Sequence, residues 1–210
     1  MLNLVAFNPE DDRELLKSSY DLIRQKDSLE IVTNSGEQNT ILLKVKSALT
    51  VPDSATIRFQ NLFKLIFPNG QFYIAQCLFN YGFSASPATR RFNEHKYAFQ
   101  IVGVADIRVD LGKTSMRPET RTDKIVGRFF GNDIDLDGTK KFNDKYYLVS
   151  DQPEIVTTYF DKDFVNTISK YDNILLTIQG KEMFITFDTE FEADHSKIVE
   201  DIFSNCKFII

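Results

Sequence analysis

The sequence predicts an α+β fold of mostly antiparallel β-hairpins with two longer helices and one short C-terminal helix. Three observations carry this expectation. Runs of β-branched and aromatic residues recur with turn residues between them, as at Pro68-Asn69-Gly70 and around Gly180. Two stretches with apolar residues at helical spacing open on a proline followed by an acid, Pro9-Glu10 and Pro153-Glu154. A last short stretch, 194–205, places Ile198, Val199, Ile202 and Phe203 on one helical face.

Taken in chain order, Asn8 offers a cap, Pro9 suits the first helical position and Glu10, Asp11 and Asp12 complement the helix dipole. Leu15, Leu16, Ser19, Leu22 and Ile23 then continue a helix over 9–26. Residues 29–33 and 40–46 read as two strands of a hairpin split by Asn34-Ser35-Gly36. A second hairpin joins 56–67 to 71–79 through Pro68-Asn69-Gly70, where the turn residues must tolerate positive φ. Another strand covers 97–109. Residues 112–123 are polar, lack periodicity and contain Pro118, so they read as the longest exposed loop. Strands follow at 124–130 and 145–150. A single helix starts at Pro153 and carries Ile155, Tyr159, Phe160, Phe164 and Ile168, and a hairpin joins 173–179 to 182–188 across Gly180.

This pattern divides the chain into an N-terminal β-rich lobe with one helix (1–111), the exposed loop (112–123) and a C-terminal α+β lobe (124–210), sharing one core. The two ends also echo each other weakly, as strand, helix, strand, turn and strand, so a duplicated β-α-β-β unit is an alternative organisation.

Among 210 residues there are 19 phenylalanines and no tryptophan, so large apolar area comes without a polar handle and suits core filling, with some left for a sticky surface. The net charge of −5 disfavours general nucleic-acid binding, which rests on many phosphate contacts. Charge is nonetheless uneven. Residues 90–128 hold 9 basic and 5 acidic side chains, whereas 129–210 hold 8 and 16. No apolar run is long enough to span a bilayer, and the N-terminus lacks the basic region of a signal peptide. The two cysteines, Cys77 and Cys206, form no CxxC pattern and suit a reducing, cytoplasmic setting.

The motifs are sparse. Arg90, Arg91, Arg117 and Arg121, interleaved with Phe92, Tyr97 and Phe99, are candidates for contact with an acidic partner or an anion. They equally suit a solvated face that balances the acidic C-terminal part. His95, beside Glu94 and Lys96, is the candidate for acid–base work, with Arg90 or Arg91 gripping an anion, and a surface histidine beside a turn is the plainer reading. Asp133, Asp135 and Asp137, closed by Gly138, set alternating carboxylates in a loop, as Ca²⁺ requires. Against an EF-hand, Lys140 stands where an aliphatic residue belongs and Asp144 where a bidentate glutamate belongs. The alternative is an Asx-rich connection in which glycine takes the left-handed position. The acids Asp188, Glu190, Glu192 and Asp194 just before a helix read as dipole partners and caps. The chain contains no GxSxG, GxGxxG or GxxxxGK[ST] pattern.

The strand Phe142-Asn-Asp-Lys-Tyr146-Tyr-Leu-Val149-Ser150-Asp151, with the helix and hairpin after it, resembles the C-terminal module of an uncharacterised bacterial protein family of unknown function. The resemblance covers about residues 140–190 and implies no functional residues.

Together these features point to a non-enzymatic intracellular protein-interaction module with a protein partner and without a cofactor. One alternative is an enzyme or small-anion-binding protein with a site around His95 and Arg90/Arg91. Another is a domain stabilised by calcium at Asp133, Asp135 and Asp137.

Overall fold

The computed structural model describes residues 11–24, 29–49, 55–67, 70–85, 92–120 and 133–210. The elements in chain order are α1 (Asp11–Arg24), β1 (Leu29–Ile31), α2 (Ser35–Ala48), β2 (Thr56–Phe67), β3 (Gly70–Ala85), β4 (Phe92–Asp106) and β5 (Lys113–Pro118). They continue with α3 (Lys140–Asn143), β6 (Tyr146–Ser150), α4 (Pro153–Tyr159), α5 (Lys162–Ile168), β7 (Ile174–Gln179), β8 (Glu182–Phe187) and α6 (His195–Ser204). Among the described residues, all eight strands form a single antiparallel sheet in the order β1-β2-β3-β4-β8-β7-β5-β6.

This corrects the expected α+β arrangement of hairpins with two longer helices and one short one. The sheet is continuous because β8 pairs with β4, Gly103 opposite Ile185, and so joins the N-terminal meander to the C-terminal strands. Six helices, most of them short, lie on its faces among the described residues.

Central strands carry near-continuous apolar sequence because both of their faces are buried. On β3, Phe72 and Ile74 face one layer while Tyr73, Ala75, Cys77 and Phe79 face the other. β4 divides in the same way, Ile101 and Ala105 against Val102 and Val104. The first layer is the larger and is closed by α1 and α3–α6, with Phe72 edge-on to Phe203 at 5.0 Å. The second is closed by α2 through Ile41 and Val45. Each fully buried Phe contributes roughly 1.5–3 kcal/mol. Outside residues 81–97, no phenylalanine of the described residues stands among the exposed large apolar side chains, so there the phenylalanines supply core and not a sticky surface.

Several elements differ from expectation for identifiable reasons. Residues 35–48 form α2 and not the second strand of a hairpin. The Asn34 side chain accepts hydrogen bonds from the amides of Gly36 (2.8 Å) and Glu37 (3.2 Å), so Asn34-Ser35-Gly36 is a helix cap and not a turn. With that strand gone, the echo between the chain ends disappears. The helix expected from Pro153 is two helices, broken where Asp161 caps α5 by accepting from the Phe164 amide at 2.9 Å. The segment expected as an exposed loop, 112–123, contains β5, an interior strand paired with both β6 and β7. Pro118 sits at its last position, where a missing amide is tolerated.

Other elements lie where the sequence placed them. Phe67 pairs with Gly70 across the β2–β3 turn, β7 and β8 meet across Gly180 at φ +63°, and α6 falls within 194–205. Pro9, Pro68, Asn69 and the strand expected over 124–130 lie outside the described residues. Among the described residues no helix is long and apolar enough to cross a membrane.

Candidate functional site

The alternation that buries Tyr146 and Leu148 of β6 sends Tyr147 and Val149 to the opposite face. There they floor an open groove of about 890 Å³, rimmed by Lys113, Asp133, Ile134, Asp135, Ser150, Asp151 and Pro153.

One wall is a segment laid along the outer edge of β6. The Ile134 amide donates to the Leu148 carbonyl at 2.8 Å, and the Leu148 amide donates to Asp133 Oδ1 at 2.9 Å. Asp133 thereby occupies a backbone donor of an edge strand, a position that otherwise invites pairing with another chain. Burial raises its carboxyl above the ordinary carboxylate range; the Leu148 amide opposes this, and the like charges of Asp135 and Glu119 add to it. Beyond Asp135 the segment is closed by Asn143, whose side chain accepts from the Leu136 amide (3.1 Å) and donates to the Leu136 carbonyl (3.0 Å). Gly138 adopts φ +73°, the left-handed position of an Asx-rich connection. Asp133→Ala is expected to destabilise the fold by about 1–2 kcal/mol, read by urea denaturation, because it orphans the Leu148 amide.

The other end is a tight corner. Asp151 Oδ1 accepts from the Lys113 amide at 2.8 Å, and a Cβ on Gly112 (φ +60°) would lie 2.0 Å from that oxygen. Thr114 and Ser150 hydroxyls meet at 2.8 Å, and Ser150 also accepts from the Gln152 amide at 2.9 Å. Beside the floor, the Arg117 guanidinium lies 4.7 Å from the centre of the Tyr147 ring, across the Arg117–Tyr147 register pair.

The sequence candidates therefore scatter. Asp133 and Asp135 line the groove, Asp137 is exposed beyond it and Arg117 stands next to it. His95 lies in β4, opposite Gly82, while Arg90, Arg91 and Arg121 lie outside the described residues. Tyr147, Val149, Ser150, Asp151 and Lys113 were not among the candidate site residues read from the sequence. Their signal was apolar residues on both phases of a short strand, Tyr146 to Val149.

Three ligating groups do come together among the described residues, Glu192, Asp194 and His195, within 4.8 Å of one another at the start of α6. His195 Nδ1 there already accepts from the Glu192 amide at 3.3 Å, so its lone pair is in use. Asp133, Asp135 and Asp137 do not form such a set, and one Asp133 oxygen is taken by Leu148. Millimolar calcium is accordingly expected to leave the melting temperature unchanged; a rise of several degrees would restore the calcium reading. Burial pushes the Cys206 thiol up to about 12 and raises Cys77 further, keeping both protonated.

Comparison with protein-family models, with curated proteins and with solved structures finds no match. The functional reading rests on the groove.

Proposed function

We propose that the protein is a non-enzymatic intracellular interaction module that engages a protein partner through the β5–β6 groove. The observation that carries this reading is an aromatic and aliphatic floor, Tyr147 and Val149, inside a rim made mostly of charged and polar side chains, with Ile134 and Pro153 among them. An apolar centre with a polar rim is the ordinary anatomy of a protein-binding patch. The floor lies on the outer face of a hydrogen-bonded strand, so it is held rigid and little order must be imposed on binding. The two unpaired, buried cysteines suit a reducing compartment.

The test compares the wild type with Val149→Lys as baits in cell lysate, after circular dichroism and melting show that the variant folds. Val149 is half-buried and faces the groove, so a lysine there disrupts the floor. A partner retained by the wild type is expected to lose at least about tenfold in recovery on the variant. Equal retention of the same proteins by both would overturn the reading.

A further inference from the structure

We propose that two copies of this chain associate through the β3–β4 hairpin, the outer edges of their β4 strands pairing antiparallel about a twofold axis at His95. The hairpin outruns the rest of the sheet. β2 pairs with β3 only as far as Asn80, opposite Thr56, and β8 pairs with β4 only from Gly103 to Asp106. β3 and β4 nevertheless stay paired out to Ala85 and Phe92. Among the described residues, β4 from Phe92 to Val102 therefore has a strand on one side alone, and the pairs from Tyr81–Lys96 to Ala85–Phe92 form a two-stranded arm with both edges open. Such a ribbon is marginal in water by itself, and a long open edge is a template for another strand.

The backbone already faces the incoming strand. Just beyond β4 the Ile107 amide donates to the Lys181 carbonyl at 2.8 Å, toward the β8 side. The β3–β4 register runs unshifted from Ala105 to Phe92, so alternate amides back along β4, among them those of Phe99, Tyr97 and His95, aim at that same edge. The root of the strand is fixed, with Ala98, Phe99, Ile101 and Val102 buried, so little order must be imposed on joining.

The sequence of the arm selects a second copy as the occupant. Antiparallel pairing of a strand with itself is a closed, isologous contact. With the axis at His95, Glu94 of each copy stands opposite Lys96 of the other, a complementary pair repeated by the symmetry. An axis one residue to either side sets Glu94 against Glu94 or Lys96 against Lys96. A lysine on an edge ordinarily resists strand addition; here the glutamate answers its charge. β8 and β7 separate this edge from the β5–β6 groove, so the contact does not depend on the interaction reading above.

The experiment is sedimentation equilibrium of the full chain at up to about 100 μM, where the wild type is expected to be a dimer in exchange with monomer. The same runs are made on His95→Pro, Glu94→Lys and the exchange Glu94→Lys with Lys96→Glu, once circular dichroism and melting show that each folds. Proline at 95 removes an amide aimed at the partner and spares the β3–β4 hydrogen bonds, so it is expected to abolish the dimer. Glu94→Lys sets lysine against lysine and is expected to weaken the dimer at least about tenfold, whereas the exchange restores it to within about threefold of the wild type. A monomeric wild type would overturn the proposal, and so would a dimer that survives His95→Pro. A dimer indifferent to Glu94→Lys, or weakened by it and not restored by the exchange, would overturn it equally.

Discussion

Replacing Gly103 with valine is expected to destabilise the protein by about 3 kcal/mol or more and to lower the melting temperature by roughly 6–12 °C. Gly103 lies in β4 where α6 crosses the sheet with no side chain between them. A Cβ there would stand 2.5 Å from Val199 Cγ1 and 2.8 Å from Phe203 Cε2. Neither neighbour yields easily. Val199 is β-branched within a helix, where one rotamer dominates, and Phe203 is packed edge-on to Phe72. Both are essentially fully buried, so the helix itself must lift, opening the larger core layer. The mechanism makes a second prediction about coupling. Gly103→Ala is expected to be better tolerated in a Val199→Ala background than the sum of the single changes implies, by roughly 1 kcal/mol or more. Thermal and urea denaturation of the four proteins measure this. Strict additivity would show that the close approach is not the cause.

Between pH 7 and pH 4 the protein is expected to lose stability through His195, by as much as about 3 kcal/mol if the whole shift is expressed. The imidazole is 5% exposed and stacked on Phe187 with ring centres 3.7 Å apart and planes 4° from parallel. Burial lowers its pKa to about 4, with Asp194 opposing that shift. In the unfolded chain the ring takes its proton near 6.5. Over that interval the unfolded state binds more protons, so stability falls as pH drops through 6.5 and levels off below about 4. Other groups titrate in the same range. Asp161, held low by the Phe164 amide and Lys207 against its desolvation, also loses stabilisation on acidification. Asp133, held high by burial, acts in the opposite sense. The comparison is therefore between the wild type and His195→Phe, which keeps a flat ring against Phe187 and cannot titrate. The slope of unfolding free energy against pH between 6.5 and 4 is expected to be shallower in the variant. Equal slopes would place the titration elsewhere.

How much was legible in the sequence depended on how local the deciding interaction was. The β2–β3 and β7–β8 hairpins were readable because turn residues and flanking apolar runs are neighbours in the chain. α2 was misread because Asn34-Ser35-Gly36 serves equally well as a turn or a cap. Only the burial of Ile41 and Val45 beneath one face of α2, with Leu43 left 68% exposed, decides between them. β5 looked like a loop because Lys113, Thr114, Ser115 and Arg117 are polar. A strand with one face toward the groove side can carry such residues while Thr114 and Met116 alone face inward. The Asp133-to-Gly138 motif was visible, and its glycine geometry was foreseeable from the alternation of Asp and the final Gly. That Asp133 would cap the edge of β6 was not, because its partner, Leu148, is a backbone amide on another element.

By itself the sequence determined the β2–β3 and β7–β8 hairpins, the start of α4, the C-terminal helix and the burial of the apolar strands, all set by periodicity, turn chemistry and caps within a few residues. Tertiary structure alone decided that the strands form one sheet, that α6 lies directly on Gly103, and that a mostly polar rim surrounds Tyr147 and Val149. Those outcomes depend on which distant strands pair and in what register. A shift of one residue in β6 would send Tyr147 and Val149 into the core and Tyr146 and Leu148 to the groove. No local pattern in the chain encodes that choice; the summed burial on the two faces of the sheet does.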